Sequence, residues 1–86
     1  MSCLVTGGAG FIGSHLCEQL LSMKNRVYAI DNLSTGSYQN ISGIKSDPHF
    51  SFFVGDISDH ELMEDLVKKS RVIYHLAEFP WALLAR

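Results

Sequence analysis

Three glycines recur at every third position in the run Thr6-Gly7-Gly8-Ala9-Gly10-Phe11-Ile12-Gly13. Backbone that approaches a polyanion must present N–H groups and keep side chains out of the way, and glycine allows both. In such a loop Gly7 permits a tight turn out of a strand. Gly10 lets the chain come up against a pyrophosphate, and Gly13 allows a following helix to pack closely. Free N–H groups near Phe11 and Ile12 would then face phosphates at the positive end of that helix. The plainer alternative is a glycine-rich turn with no ligand, and only a strand before and a helix after give the spacing its meaning.

Two acids extend this chemistry. Asp31 follows Gly13 by about 18 residues, close to the interval at which a carboxylate meets the adenosine ribose hydroxyls of a bound dinucleotide. Its charge would repel a 2′-phosphate and no arginine stands immediately after it, so NAD is preferred over NADP. Asp56 could accept from an adenine amino group while Ile57 lies against the ring. Each acid also has an ordinary reading as the first residue of a turn.

The elements needed to position these residues are legible. Ser2–Thr6 is apolar, short and stopped by glycine, as expected of a strand buried on both faces. Ile12, Leu16 and Leu20 then repeat at helical spacing with Cys17 and Leu21 beside them, predicting a helix that ends near Met23. Lys24 and Arg26 suit its negative end, and Asn25 can take the left-handed cap conformation. A second strand is expected at 27–30, ending on Asp31. Residues 32–48 read mainly as a loop, with Tyr38, Ile41 and Ile44 spaced for a short helical turn. Phe50–Val54 is a third strand, closed by Gly55 and Asp56. Ser58-Asp59-His60-Glu61 matches a capping box opening a helix to about Lys69, with Leu62, Leu66 and Lys69 in line and Met63 and Val67 adjacent. Val72–His75 is a fourth strand.

This alternation predicts an α/β fold, a Rossmann-type parallel sheet of about four strands in the order 3-2-1-4 with flanking helices. Such a sheet normally continues beyond its fourth strand. Residues 1–77 are therefore expected to form a partial nucleotide-binding domain, followed by an apolar tail at 78–86 and lacking a substrate domain. An unpaired edge and an uncovered apolar face would favour self-association.

Bulk properties narrow the class. With 86 residues the chain makes at most one domain with a thin core. Hydrophobic residues make up 47%, charged residues 19%, and the formal net charge is -2. Neither nucleic acid nor a membrane is favoured as a partner. No secretory signal pattern precedes the glycine loop, so a cytoplasmic location is expected. Cys3 and Cys17 read as small core residues rather than a disulfide or a metal site. His15 and His75 read as hydrogen-bonded structural residues, and His49 and His60 as surface residues. The charges at Glu61, Glu64, Asp65, Lys68 and Lys69 form a solvated helix face.

Taken together, TGGAGFIGSHL, DNLSTG from Asp31 to Gly36, GDI from Gly55 to Ile57 and YHLA from Tyr74 to Ala77 resemble the extended short-chain dehydrogenases that act on nucleotide sugars, most nearly the UDP-glucose 4-epimerases. The four blocks occur in order over nearly all of residues 2–77. By this resemblance Phe11 and Ile12 contact the pyrophosphate of NAD, and Asp31 and Asn32 hold the adenosine ribose. Ser34, Thr35 and Gly36 wrap the outer side of that ribose. Asp56 and Ile57 flank adenine, while Leu76 and Ala77 line the channel toward nicotinamide. In complete enzymes of this kind NAD oxidises the sugar at C4, and an epimerase returns the hydride to the opposite face.

Two features depart from the family pattern. Glu78 and then Phe79-Pro80-Trp81 follow where another small residue is usual. A tyrosine with a lysine four residues later, the pair that transfers protons in this family, is absent: four residues beyond Tyr28, Tyr38 and Tyr74 stand Asn32, Ser42 and Glu78. No residue is thus assigned a catalytic role. The chain reads as the amino-terminal, NAD-binding part of a nucleotide-sugar epimerase or dehydratase, inactive by itself; the alternative is a non-catalytic NAD-binding or interaction module.

Overall fold

A computed structural model describes residues 1–77, so the expectations for Glu78, Phe79, Pro80 and Trp81 lie outside the described residues. Four parallel strands, β1 (Ser2–Thr6), β2 (Arg26–Asp31), β3 (Phe50–Val54) and β4 (Val72–His75), hydrogen-bond in the order β3-β2-β1-β4. Helix α1 (Phe11–Ser22) joins β1 to β2, a short 3₁₀ turn (Tyr38–Ile41) lies between β2 and β3, and helix α2 (His60–Lys69) joins β3 to β4. The order of a Rossmann-type sheet follows, and β1 sits at its centre.

Side-chain alternation along the strands divides the core into two layers. On one face Cys3 and Val5 of β1 meet Val27 and Ala29 of β2, Phe50 of β3, Cys17 and Leu20 of α1, and Ile41 of the 3₁₀ turn. On the other, Leu4 and Ile30 pack beneath Leu66 of α2, with Tyr28, Phe53, Leu62 and Met63 around them. The central strands are buried on both sides, which is why they read as unbroken apolar runs. Each wholly buried leucine or isoleucine of these layers contributes roughly 1.5–3 kcal/mol.

Three local details differ from the sequence reading. The first helix does not bury Ile12, which is 70% exposed; its inner face is Gly13, Ser14, Cys17 and Leu20. Phe11, beside Ile12, is exposed as well. Second, the left-handed residue that ends α1 is Lys24, with φ 69°, and not Asn25. The N–H groups of Lys24 and Asn25 donate back to the carbonyls of Leu21 and Leu20, and Asn25 Nδ2 donates to Leu20 O at 3.0 Å. The asparagine side chain thus adds a further donor to the carbonyl its own N–H already bonds, and the cost of the turn falls on the exposed lysine. No basic residue lies in the last turn itself.

Third, the cap of α2 is Asp59, whose carboxylate accepts from Leu62 N–H, and not Ser58. Asp56 takes both preceding donors: Ser58 N–H to its Oδ1 at 3.0 Å and Asp59 N–H to its carbonyl at 2.9 Å. Glu61 then falls one position too early to close a capping box. Lys69, expected in line with Leu62 and Leu66, is exposed; its Nζ pairs with Asp65 at 3.1 Å and lies 5.9 Å from the Tyr28 ring centre.

Candidate functional site

The carboxyl ends of all four strands open on one cavity of about 840 Å³. Its lining is Gly7, Gly10, Phe11, Ile12 and Gly13 after β1; Ile30, Asp31, Asn32, Ser34 and Thr35 after β2; Gly55, Asp56 and Ile57 after β3; and His75, Leu76 and Ala77 after β4. Topology explains the place. The chain runs outward from β1 to β3 on one side and returns to β4 on the other, leaving a crevice where the connections part.

The loop after β1 is built for close contact. Gly7 adopts φ +74°, and a Cβ there would stand 2.9 Å from the Ala77 backbone N. A Cβ on Gly13 would come 2.1 Å from the Gly7 carbonyl oxygen, so this glycine in the first turn of α1 packs on the loop itself rather than on a strand side chain. Gly10 has only the Gly7 carbonyl oxygen nearby, at 3.3 Å from such an atom, and its outer side faces the cavity. Gly8, which pattern reading passed over, is also needed: a Cβ there would meet the Ala29 methyl at 2.6 Å.

Helix α1 begins at Gly10 without a side-chain cap and with no acid in its first turn. Among the described residues no hydrogen bond is made to the N–H of Phe11 or Ile12. Uncapped helical donors at the rim of a cavity, with the positive end of the helix dipole behind them, form a site for a phosphate oxygen. An acidic cap there would satisfy the same donors and repel the ligand.

Asp31, buried to 8% exposure, faces this helix end from the tip of β2. Its Oδ2 accepts from Ala9 N–H at 2.9 Å and its Oδ1 from Leu33 N–H at 2.8 Å. Each oxygen keeps a lone pair, so the carboxylate is held in place and still able to accept from a hydroxyl pair. Leu33, with φ 64°, turns the chain sharply at this point. Asn32 Oδ1 accepts from Ser34 N–H at 2.9 Å, shaping the wall that Ser34 and Thr35 complete. Asp56 performs the turn role described above and also lines the cavity, so its two sequence readings are compatible.

Of the residues singled out from sequence, Gly36 alone is not in the lining. It packs behind the wall, where a Cβ would stand 2.8 Å from Ala9 O and from Asp31 Oδ2. Conversely, Ile30, Gly55 and His75 line the cavity without having been assigned to it. Positions ending a strand next to a flagged acid were the only signal available for the first two. A ligand with two linked phosphates, a ribose and a flat base fits the donors, the carboxylate and the apolar wall at Ile57. Cys3 and Cys17 are both free and buried in the core, away from this cavity.

Comparison with known proteins agrees with this geometry. The family model described as GDP-mannose 4,6-dehydratase matches residues 4–79. UDP-glucuronic acid decarboxylase 1 of Arabidopsis thaliana is 39% identical over 74 residues, covering 86% of this chain and 16% of that protein. UDP-glucose 4-epimerase of Mycolicibacterium smegmatis is 42% identical over 78 residues, covering 90% of this chain and 25% of its own length. The crystal structure of dTDP-glucose 4,6-dehydratase from Bacillus anthracis in complex with NAD superposes with a TM-score of 0.83 at 34% identity, over 92% of this chain and 27% of that one. The chain thus spans about a quarter or less of the length of these curated relatives.

Proposed function

The chain belongs to the GDP-mannose 4,6-dehydratase family of NAD-dependent epimerases and dehydratases, and from that premise we propose that residues 1–77 are the NAD-binding part of a nucleotide-sugar epimerase or dehydratase of the UDP-glucose 4-epimerase type. One observation carries the reading: Phe11 and Ile12, whose N–H groups are unbonded among the described residues, line the same cavity as the buried Asp31. When bound, NAD supplies a hydride acceptor for a sugar alcohol.

The family resemblance, together with the cavity lining, supports these roles for the chain's own residues. Gly7, Gly10 and Gly13 bring backbone up to the pyrophosphate, and the Phe11 and Ile12 N–H groups donate to it. Asp31 and Asn32 hold the adenosine ribose, with Ser34 and Thr35 on its outer side and Gly36 supporting them from behind. Asp56 and Ile57 flank the adenine, and Leu76 and Ala77 form the wall toward the nicotinamide. The Asp31 charge disfavours a 2′-phosphate. No Tyr-x-x-x-Lys pair occurs in the 86 residues, so this stretch binds cofactor without turnover.

Calorimetry on the purified chain tests this reading. NAD should bind more tightly than NADP, and Asp31→Asn should weaken NAD by roughly tenfold or more, the loss of a charge-assisted bond of about 1.5–3 kcal/mol. Assay with UDP-galactose should show no interconversion. A folded chain giving no NAD heat, or preferring NADP, would refute the proposal.

A further inference from the structure

Ala9 is wholly buried in the glycine loop, and both polar groups of its backbone are held by the segment 31–40. Its N–H donates to Asp31 Oδ2. Its carbonyl accepts twice, from Ser37 N–H at 3.0 Å and from Asn40 Nδ2 at 2.8 Å. That carbonyl belongs to the Ala9–Gly10 peptide, whose other pole, Gly10 N–H, donates to Gly7 O at 3.1 Å. Gly10 is also the residue from which α1 starts, its own carbonyl accepting from Ser14 N–H at 2.9 Å. This single peptide therefore joins the glycine loop to the first turn of α1, whose N–H groups follow it.

Glycine tolerates either sign of φ, so a peptide plane that joins one can rotate at small steric cost. Rotation here would turn the Ala9 carbonyl, which carries partial negative charge, toward the place where phosphate oxygens would lie. Two donors oppose it. Ser37 supplies a backbone N–H that any residue except proline could provide; Asn40 supplies a side chain, reaching across 31 positions of sequence from the 3₁₀ turn. Neither lines the cavity.

We propose that Asn40 is a positioning residue of the phosphate site: its amide holds the Ala9 carbonyl away from the cavity and so keeps the Phe11 and Ile12 N–H groups aimed into it. This role rests on the cofactor reading above. Asn40 touches no ligand and acts only through the Ala9–Gly10 peptide. An aspartate in its place would have the same shape and no donor, and would add negative charge behind an anion site.

The test compares the 86-residue chain with Asn40→Ala and Asn40→Asp, using NAD, ADP and adenosine as ligands and Gln39→Ala as an exposed neighbouring control. Both Asn40 variants should raise the Kd for NAD and ADP by about tenfold and that for adenosine by less than about twofold. In the ligand-free chain, amide resonances of Gly10, Phe11 and Ile12 should shift in Asn40→Ala and stay in place in Gln39→Ala. Equal losses for all three ligands would mark general loosening and overturn the proposal, as would unchanged affinities or unmoved resonances. If the unsubstituted chain binds neither NAD nor ADP, the cofactor reading fails and this role falls with it. If it binds both and Asn40→Ala binds them equally well, only the positioning role is lost.

Discussion

The hydroxyl of Thr6 and Nδ1 of His75 lie 2.8 Å apart, joining the last residues of β1 and β4 where those strands open on the cavity. Thr6 is fully buried, and its oxygen already accepts from Ala77 N–H at 3.1 Å. The hydroxyl can donate to Nδ1 when the ring proton is on Nε2, or accept from it in the other tautomer. One hydroxyl thus ties both His75 and the Ala77 backbone to the glycine loop.

Thr6→Val keeps the shape of the side chain and removes both bonds, leaving the half-buried Ala77 N–H without its partner. Stability should fall by about 1–3 kcal/mol, read by urea unfolding, and the Ala77 amide should lose protection against hydrogen exchange. Thr6→Ser should retain most of both. A valine variant as stable as the parent, with Ala77 equally protected, would show that the tie contributes nothing.

Gly13→Ala and Gly43→Ala form a contrasting pair. A methyl on Gly13 would lie 2.1 Å from a backbone oxygen, and backbone on both sides leaves little room to yield, whereas Gly43 has nothing within 4 Å of such an atom. The first should cost about 1–3 kcal/mol or more and the second should be neutral or stabilise by up to about 1 kcal/mol. Thermal melts of the two variants decide it, and similar Tm values would contradict the packing.

The cap of α2 can be located by substitution. Asp59→Ala should cost about 1 kcal/mol, because the Leu62 N–H loses its acceptor. Ser58→Ala should change little, since that residue contributes only its backbone N–H to the turn. The reverse ranking in denaturant midpoints would restore the serine as cap.

Burial pushes the Cys17 thiol up to about 12 from an ordinary value of 9.0, with Glu18 adding to the rise; burial also raises Cys3. A group whose folded-state pKa lies above its unfolded value stabilises the fold fully below the unfolded value and loses that contribution as pH climbs toward the folded one. Stability should therefore fall above about pH 8.5–9, with Cys17 contributing a slope of about 1.4 kcal/mol per pH unit. Cys17→Ala should flatten the alkaline limb relative to the parent. In the native chain Cys17 should also react with a thiol reagent at pH 8 far more slowly than in urea.

Much of the fold was legible because its signals are local. Strand ends, glycine spacing and the Asp31 interval each follow from a few consecutive residues and a period of packing. Where the reading slipped, two local rules competed for the same donor. Ser58-x-x-Glu61 is a sound capping pattern, yet the carboxylate and carbonyl of Asp56 had already taken the N–H groups of Ser58 and Asp59. Asn25 favours the left-handed cap, yet its amide does more by bonding the Leu20 carbonyl, so Lys24 takes the strained position.

The sequence by itself determined the parallel alternation, the phosphate loop and the acid that faces it, because these depend on residue type and on spacing along one chain. Only the tertiary structure decided that Ile12 faces the cavity rather than the core, that Gly36 supports the wall instead of forming it, and that Asn40 and His75 are tied to the glycine loop. The Asn40 and His75 ties join residues 31 and 69 positions apart. Hydrogen-bond partners at such distances exist only once the sheet has brought the strand ends together, and no periodicity along the chain records them.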